Sequence, residues 1–205
     1  MNKKAIILDL DNTIYQVSSI GDKLFKSLFE LIGKSGEYKG DFEKLKAEIM
    51  RRPFQYVAKE FEFSEKLFGE SHKLLENLTY DEPMATFDDY KFVRHLKMDK
   101  FLVTAGFTKM QESKVTQLGI SNDFRTIYII DPAKTNMVKK DIFMKIMADH
   151  NFLPAELLVA GDDVNSEIKA ALELGIDAVL YDRTETAQPT NEFQIISRFS
   201  EMKVG

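Results

Sequence analysis

Five short β-prone apolar runs punctuate the chain: AIIL (5–8), FLV (101–103), TIYII (126–130), LLVA (157–160) and AVLY (178–181). Their lengths suit buried strands. Between the last four lie segments of helical periodicity at about 108–118, 138–150 and 165–174. The second carries Ile142, Phe143, Ile146 and Met147 on one stripe. Strand and helix alternating in this way predict an α/β fold, a doubly wound parallel sheet flanked by helices. Ligands of such sheets bind at the carboxyl ends of the strands. Polar residues stand there: Asp9, Thr104, Asp131 and Asp162 each closely follow a run.

Between AIIL and FLV the pattern changes for about seventy residues. Ile20, Leu24, Leu28 and Leu31 step at helical spacing, as do Phe54, Val57, Ala58 and Phe61, and then Leu67, Ser71, Leu74, Leu75 and Leu78. No strand signal interrupts them. The expected organisation is an α/β core of residues 1–17 and 85–205 and a helical insertion over 18–84. GKSGEYKG and the Pro53 region are the internal breaks, and DEP (81–83) lies near the exit.

Composition narrows the partners. An apolar fraction of 44% with 30% charged residues is that of an ordinary soluble globular protein. A net charge of -5 and a pI near 5.4 argue against a nucleic-acid polymer as partner. No apolar run nears the ~20 residues of a membrane span. Asp9 ends the run after Lys3 and Lys4 too early for a secretory signal, so a cytoplasmic protein is expected. With zero cysteines, disulfides, thiolate metal sites and a Cys nucleophile are excluded.

The stretch DLDNT (9–13) then poses an electrostatic problem. Alternate residues of a strand share a face, so Asp9 and Asp11 would stand side by side and repel. TAG (104–106), Lys139 and Lys140, and GDD (161–163) with Glu167 supply further polar groups at strand ends. Singly, each has a bland reading: DxDxT can begin a helix and GDD can be a turn. Together they describe a phosphoryl-transfer site. Converging carboxylates are expensive unless a divalent cation sits among them, and hard oxygen ligands suit Mg²⁺. One Asp could attack phosphorus while the other, partly protonated beside it, gives and takes a proton. A threonine hydroxyl, backbone N–H groups and a lysine would hold the phosphoryl oxygens.

DLDNT, FLVTAG, KKDIF and GDDVNSE, in this order, resemble the four motifs of the haloacid dehalogenase-like (HAD) hydrolase superfamily. The resemblance covers residues 5–16 and about 88–182, and the insertion matches the superfamily's helical cap in place and size. It implies Asp9 as nucleophile and Asp11 as general acid/base, with Mg²⁺ held by Asp9, the Asp11 backbone carbonyl and Asp162. Asp163 is implied close to the metal, Thr13 as support for the turn, and Thr104 with the N–H groups of Ala105 and Gly106 as the phosphoryl cradle. The cradle lysine is Lys139 or Lys140, with Lys139 better spaced before the apolar pair of its helix. Glu167 stands where many members have Asp; it either reaches a metal-bound water or is a helix-surface residue.

An acid/base Asp two residues after the nucleophile implies hydrolysis of a small phosphomonoester through an aspartyl-phosphate, or phosphomutation on the same core. DNTIYQVSSIGDKLF and TAGFTKMQESKVTQLGI look most like the branch acting on nucleoside monophosphates. A response-regulator receiver domain fits less well, because its acidic pair is adjacent and it lacks the insertion. A catalytically silent HAD-fold binding protein is the other alternative. His72, His95 and His150 have no second ligand at metal spacing, Arg51 and Arg52 suit a solvated face, and Lys109 is a surface residue or adds positive potential over the site.

Overall fold

In the computed structural model, which describes residues 2–204, the five runs are strands. They are β1 (Ala5–Leu8), β2 (Asp99–Ala105), β3 (Thr126–Ile130), β4 (Leu157–Gly161) and β5 (Asp177–Tyr181). A further strand, β6 (Gln194–Ile196), closes one edge. All pairings are parallel and the order is β3-β2-β1-β4-β5-β6. β1 is central, with Ala5 level with Asp99 on one side and with Leu157 on the other. That explains its unbroken AIIL: a central parallel strand has two covered faces and no solvent side.

Alternation along the strands sorts the core onto those faces. Ile6 and Leu8 pack with Leu102, Leu158 and Val179 on one side; Ala5 and Ile7 pack with Phe101, Val103, Val159 and Leu180 on the other. The second side is covered by α8 (Lys139–His150) and α9 (Lys169–Glu173) through Ile142, Phe143, Ile146 and Ala171. The first is covered by α7 (Thr108–Gln117) through Met110 and Val115, and by α6 (Tyr90–His95) through Tyr90 and Val93.

Between β1 and β2 the chain is helical, as its periodicity predicts: α1 (Gly21–Leu24), α2 (Lys26–Ser35), α3 (Phe42–Ile49), α4 (Phe54–Glu60) and α5 (Glu65–Asn77). The breaks have local causes. Gly36 ends α2 in the left-handed region at φ 63°, which glycine adopts without penalty. Asp41 caps α3 by accepting from the Lys44 N–H at 2.8 Å, Pro53 precedes α4, and Ser64 caps α5 by accepting from Leu67 N–H at 3.0 Å. Apolar residues of these helices, among them Phe29, Leu45, Val57 and Leu75, join the cluster of Leu8 and Leu102 without a gap.

Helix α5 rests against the start of α7. Lys109 Nζ reaches Asn77 Oδ1 at 2.7 Å, the Tyr80 N–H donates to Ser113 Oγ at 2.9 Å, and the His72 ring meets Phe107 edge-on at 5.2 Å. Lys109 is therefore engaged at a helix contact. No helix among the described residues is long and apolar enough to cross a membrane.

Candidate active site

At the end of β1 the chain enters a tight turn. Thr13 and Ile14 N–H both donate to the Leu10 carbonyl, at 3.4 and 2.9 Å, and Asn12 takes a left-handed φ of 57°. An Asn tolerates that region because its short amide bonds locally, and here its Oδ1 accepts from Val17 N–H at 3.1 Å. Leu10 is fully buried and anchors the turn. The flanking aspartates meet different partners.

Asp9 faces α8 and β4. Lys139, the first residue of α8, places Nζ 2.6 Å from Asp9 Oδ1 and 2.6 Å from Glu167 Oε2. Carboxylate oxygens of Asp9, Asp162 and Glu167 lie within 4.8 Å of one another. Thr13 Oγ1 donates to Asp162 Oδ1 at 3.5 Å. Burial pushes the Asp9 carboxyl up to about 7 against the pull of Lys139, with Glu167 and Asp11 adding repulsion. Burial, then Asp9 and Glu167, pushes Asp162 up to about 8. Glu167 moves the other way: burial opposes its charge, but Lys139 and the Asp163 N–H hold it below the usual carboxylate range. One ammonium among two buried carboxylates and a half-buried one leaves the cluster short of positive charge.

Asp11 faces α7. Its Oδ1 accepts from Lys114 Nζ at 2.8 Å and from the Tyr15 hydroxyl, and its Oδ2 accepts from Gln111 Nε2 at 2.9 Å. Burial opposes its charge, but Lys114, Tyr15 and Gln111 together hold it below the usual carboxylate range. The expected partly protonated acid is thus ionised here, and the raised carboxyls are Asp9 and Asp162.

Thr104 is buried within β2, which runs through Ala105, and its Oγ1 accepts from Gln111 Nε2 at 2.6 Å. Ala105 is exposed at the strand end. The Gly106 N–H donates to the Ile130 carbonyl at 3.0 Å, so this expected cradle donor is already committed to the seam between β2 and β3. Asp131 does not enter the site: its carboxylate accepts from Thr108 N–H at 2.9 Å, Thr108 Oγ1 at 2.6 Å and Ala133 N–H at 2.9 Å, pinning the start of α7.

Two further candidates stand apart from the carboxylate cluster. Lys140 points away from Asp9 and pairs with Glu173 at 2.8 Å, because one residue along a helix turns a side chain by about 100°. The Asp163 side chain is exposed and caps the following π-turn, accepting from Asn165 N–H at 2.8 Å, so it does not join the carboxylate cluster. Glu167, by contrast, is no helix-surface residue. That π-turn, Val164–Ile168, aims it back under β4, where it is 1% exposed. None of the histidines joins the cluster: His72 packs on Phe107, His95 bonds the Lys91 carbonyl and His150 packs on Phe101. Arg51 and Arg52 pair with Glu48, and Arg52 also with Glu60.

A family model for haloacid dehalogenase-like hydrolases matches residues 3–175. The chain belongs to this family. No curated protein matches the sequence. Among solved structures, the HAD-like hydrolase is similar to YfnB from Bacillus subtilis, a candidate HAD-hydrolase bound to magnesium, with a TM-score of 0.66 and 16% identity over 98% of this chain and 97% of that one. A candidate phosphatase from Clostridium difficile gives 0.68 and 17% over 98% and 91%. The L-2-haloacid dehalogenase from Xanthobacter autotrophicus gives 0.55 and 16% over 90% and 79%. At these identities the likeness is one of fold.

Sequence reasoning missed Tyr15, Gln111 and Lys114 of the HAD-like hydrolase. A signal existed for the last two. They lie three apart on α7, on the face that also carries Met110 and Val115, and polar residues on an apolar stripe need buried partners.

Proposed function

We propose that the protein is a Mg²⁺-dependent phosphatase hydrolysing a small soluble phosphomonoester through an aspartyl-phosphate on Asp9. One observation carries the reading: Asp9, at the end of the central strand, shares Lys139 with Glu167 beside Asp162, while Asp11, two residues on, is held by a separate set of donors. An acidic pair thus has two separate environments, which is what two different jobs require.

The donor set fits the cation. Asp9, Asp162 and Glu167 offer hard carboxylate oxygens, and Glu167 is the one with both oxygens committed, to Lys139 and to the Asp163 N–H at 2.8 Å. Asp9, Asp162 and the Asp11 carbonyl would hold Mg²⁺. Bound there, the ion would neutralise the crowded carboxylates and draw charge from the phosphoryl oxygens. The Asp9 oxygen attacks phosphorus as the bond to the leaving oxygen breaks, and Asp11 gives that oxygen its proton. Asp11, ionised in the free protein, takes up that proton from solvent as substrate binds, because a phosphoryl dianion arriving beside it adds the negative charge that raises its proton affinity against Lys114. Asp11 then takes a proton from the water that opens the aspartyl-phosphate, and Asp9 is restored. The Thr104 hydroxyl, the Ala105 N–H and Lys139 orient the phosphoryl oxygens.

In this reading residues 18–84 form a cap over a core of residues 1–17 and 85–205, admitting substrate when open and excluding water when closed. The similarity of the Asp11–Phe25 and Thr104–Ile120 stretches to nucleotide phosphatases favours a nucleoside monophosphate. With Mg²⁺, the wild type is expected to hydrolyse p-nitrophenyl phosphate, and a panel of nucleotides and sugar phosphates ranks the esters by kcat/KM. A chain inert toward every phosphomonoester sinks the reading.

Metal dependence carries a pH signature. The carboxyls of Asp9 and Asp162 rise from 3.8 to about 7 and about 8, so the folded protein without metal retains protons that the unfolded chain releases. Their contribution to stability therefore falls as pH rises from about 4 to 8, and cation binding, which needs both ionised, strengthens over that window. The Tm increase produced by Mg²⁺ is expected to be larger at about pH 8 than at about pH 5.5. Equal increases would contradict a site built on these two groups.

A further inference from the structure

The face of α7 that meets Asp11 has no assigned role in the four motifs. Gln111 is 1% exposed and its single amide nitrogen joins two side chains: it donates to Asp11 Oδ2 at 2.9 Å and to Thr104 Oγ1 at 2.6 Å, with the Ala105 carbonyl a longer third acceptor at 3.4 Å. Its Oε1 is buried without a partner. The amide is therefore turned wholly toward donation. One helical turn on, Lys114, 3% exposed, places Nζ 2.8 Å from Asp11 Oδ1 and over the Tyr15 ring at 5.8 Å.

Two geometric consequences follow. A hydroxyl that accepts from Gln111 must aim its one hydrogen elsewhere, so Thr104 presents a donor rather than a lone pair to an incoming phosphoryl oxygen. A carboxylate gripped on Oδ1 by Lys114 and Tyr15 and on Oδ2 by Gln111 has both torsions fixed.

The approach of Gln111 depends on Gly106. That residue lies at φ +152°, and a Cβ there would sit 3.1 Å from both Gln111 Cγ and Cδ. Asp131 fixes the other end of the arrangement by holding Thr108, three residues before Gln111. Gly106 and Asp131 thus serve one purpose, the placement of α7 against Asp11 and Thr104.

We propose that Gln111 and Lys114 are positioning residues of the phosphoryl-transfer site. Gln111 sets the direction of the Thr104 hydroxyl hydrogen, and Gln111 with Lys114 fixes the Asp11 carboxylate for protonation of the leaving oxygen. The proposal rests on the phosphatase reading above.

The test compares two esters with Mg²⁺ present. p-Nitrophenyl phosphate has a leaving group that departs without a proton; an alkyl phosphate needs one. Gln111→Ala and Lys114→Met are expected to lower kcat for the alkyl ester at least about tenfold more than for p-nitrophenyl phosphate. Gln111→Ala is also expected to raise KM for both esters through Thr104. Gly106→Ala, which displaces Gln111 without removing it, should reproduce the Gln111→Ala pattern, and Lys114→Arg should restore most of the alkyl-ester rate. If Lys114→Met does not fold, Gln111→Ala and Lys114→Arg carry the comparison. Equal losses on both esters, with melting curves like wild type, would overturn the positioning role and leave the phosphatase reading standing. A wild type that hydrolyses neither ester overturns both.

Discussion

Replacing Asp9 with Asn is expected to abolish phosphomonoester hydrolysis while making the metal-free protein more stable at pH 8. The two effects share one cause. Asp9 is the carboxylate at the end of the central strand that touches Lys139, and an amide is no nucleophile toward phosphorus. The same carboxylate is buried beside Glu167 and Asp162, and its proton affinity is raised to about 7 by that burial. Above that pH its charge opposes folding, so an isosteric neutral group relieves the strain, by about 1–2 kcal/mol once relaxation around Lys139 is allowed for. Turnover assays and thermal unfolding in chelator report the two halves separately. A variant that retains activity refutes Asp9 as nucleophile; one that is inactive and less stable shows that the carboxylate supports the fold and that charge crowding does not govern the cluster.

Gly161→Ala is expected to be the most damaging methyl addition in the protein. Gly161 closes β4, and a Cβ there would lie 2.2 Å from Glu167 Oε1 and 2.4 Å from its Cγ. Glu167 has nowhere to retreat without loss. Its Oε1 accepts from the Asp163 N–H at 2.8 Å and its Oε2 from Lys139 at 2.6 Å. Displacing it leaves Lys139 with one partner and opens the π-turn that carries Asp163. Breaking a buried ion pair by one partner typically costs about 3–5 kcal/mol, and partial relaxation brings the expectation to about 2–4. Activity should fall with stability, since Lys139 loses the second anchor that holds it at Asp9. The deciding measurement is a double-mutant cycle with Glu167→Ala. If the clash is the mechanism, adding Gly161→Ala to Glu167→Ala changes the melting temperature little. Additive losses would place the harm elsewhere.

The strands were legible because each run is short, apolar and followed by a polar residue at the point where the sheet ends. The helices between β1 and β2 were legible for the same kind of reason, with Gly36, Asp41, Pro53 and Ser64 punctuating them. β6 was not, since QII is three residues on the sheet's edge and carries no alternation to detect. Within the site, spacing could place Asp9, Thr104, Lys139 and Asp162 at strand or helix ends but could not say which side chains turn inward. That depends on dihedrals. A π-turn buries Glu167 and leaves Asp163 exposed, a reversal that a regular helix from 165 onward does not give. Likewise the apolar stripe of α7 marks Gln111 and Lys114 as needing buried partners, but only the packing of α7 against the turn after β1 identifies Asp11 and Thr104 as those partners.

The position of β1 also bears on how the protein is made. β1, in the middle of the sheet, precedes the other five strands in the chain, yet both of its neighbours come far behind it: Ala5 pairs with Asp99 and Leu157. Lys139 lies 130 residues from Asp9, and Asp162 lies 149 residues from Thr13. Such non-local pairing makes folding slow, because loop closure precedes any reward from contact. On the ribosome, AIIL must wait with both edges unpaired, and Asp9 meets Asp162 and Glu167 only after β4 has been made. The aspartates at the strand's end keep that waiting segment from being a purely apolar one. Residues proposed to serve the chemistry of the folded protein thus first serve as charged gatekeepers for its central strand.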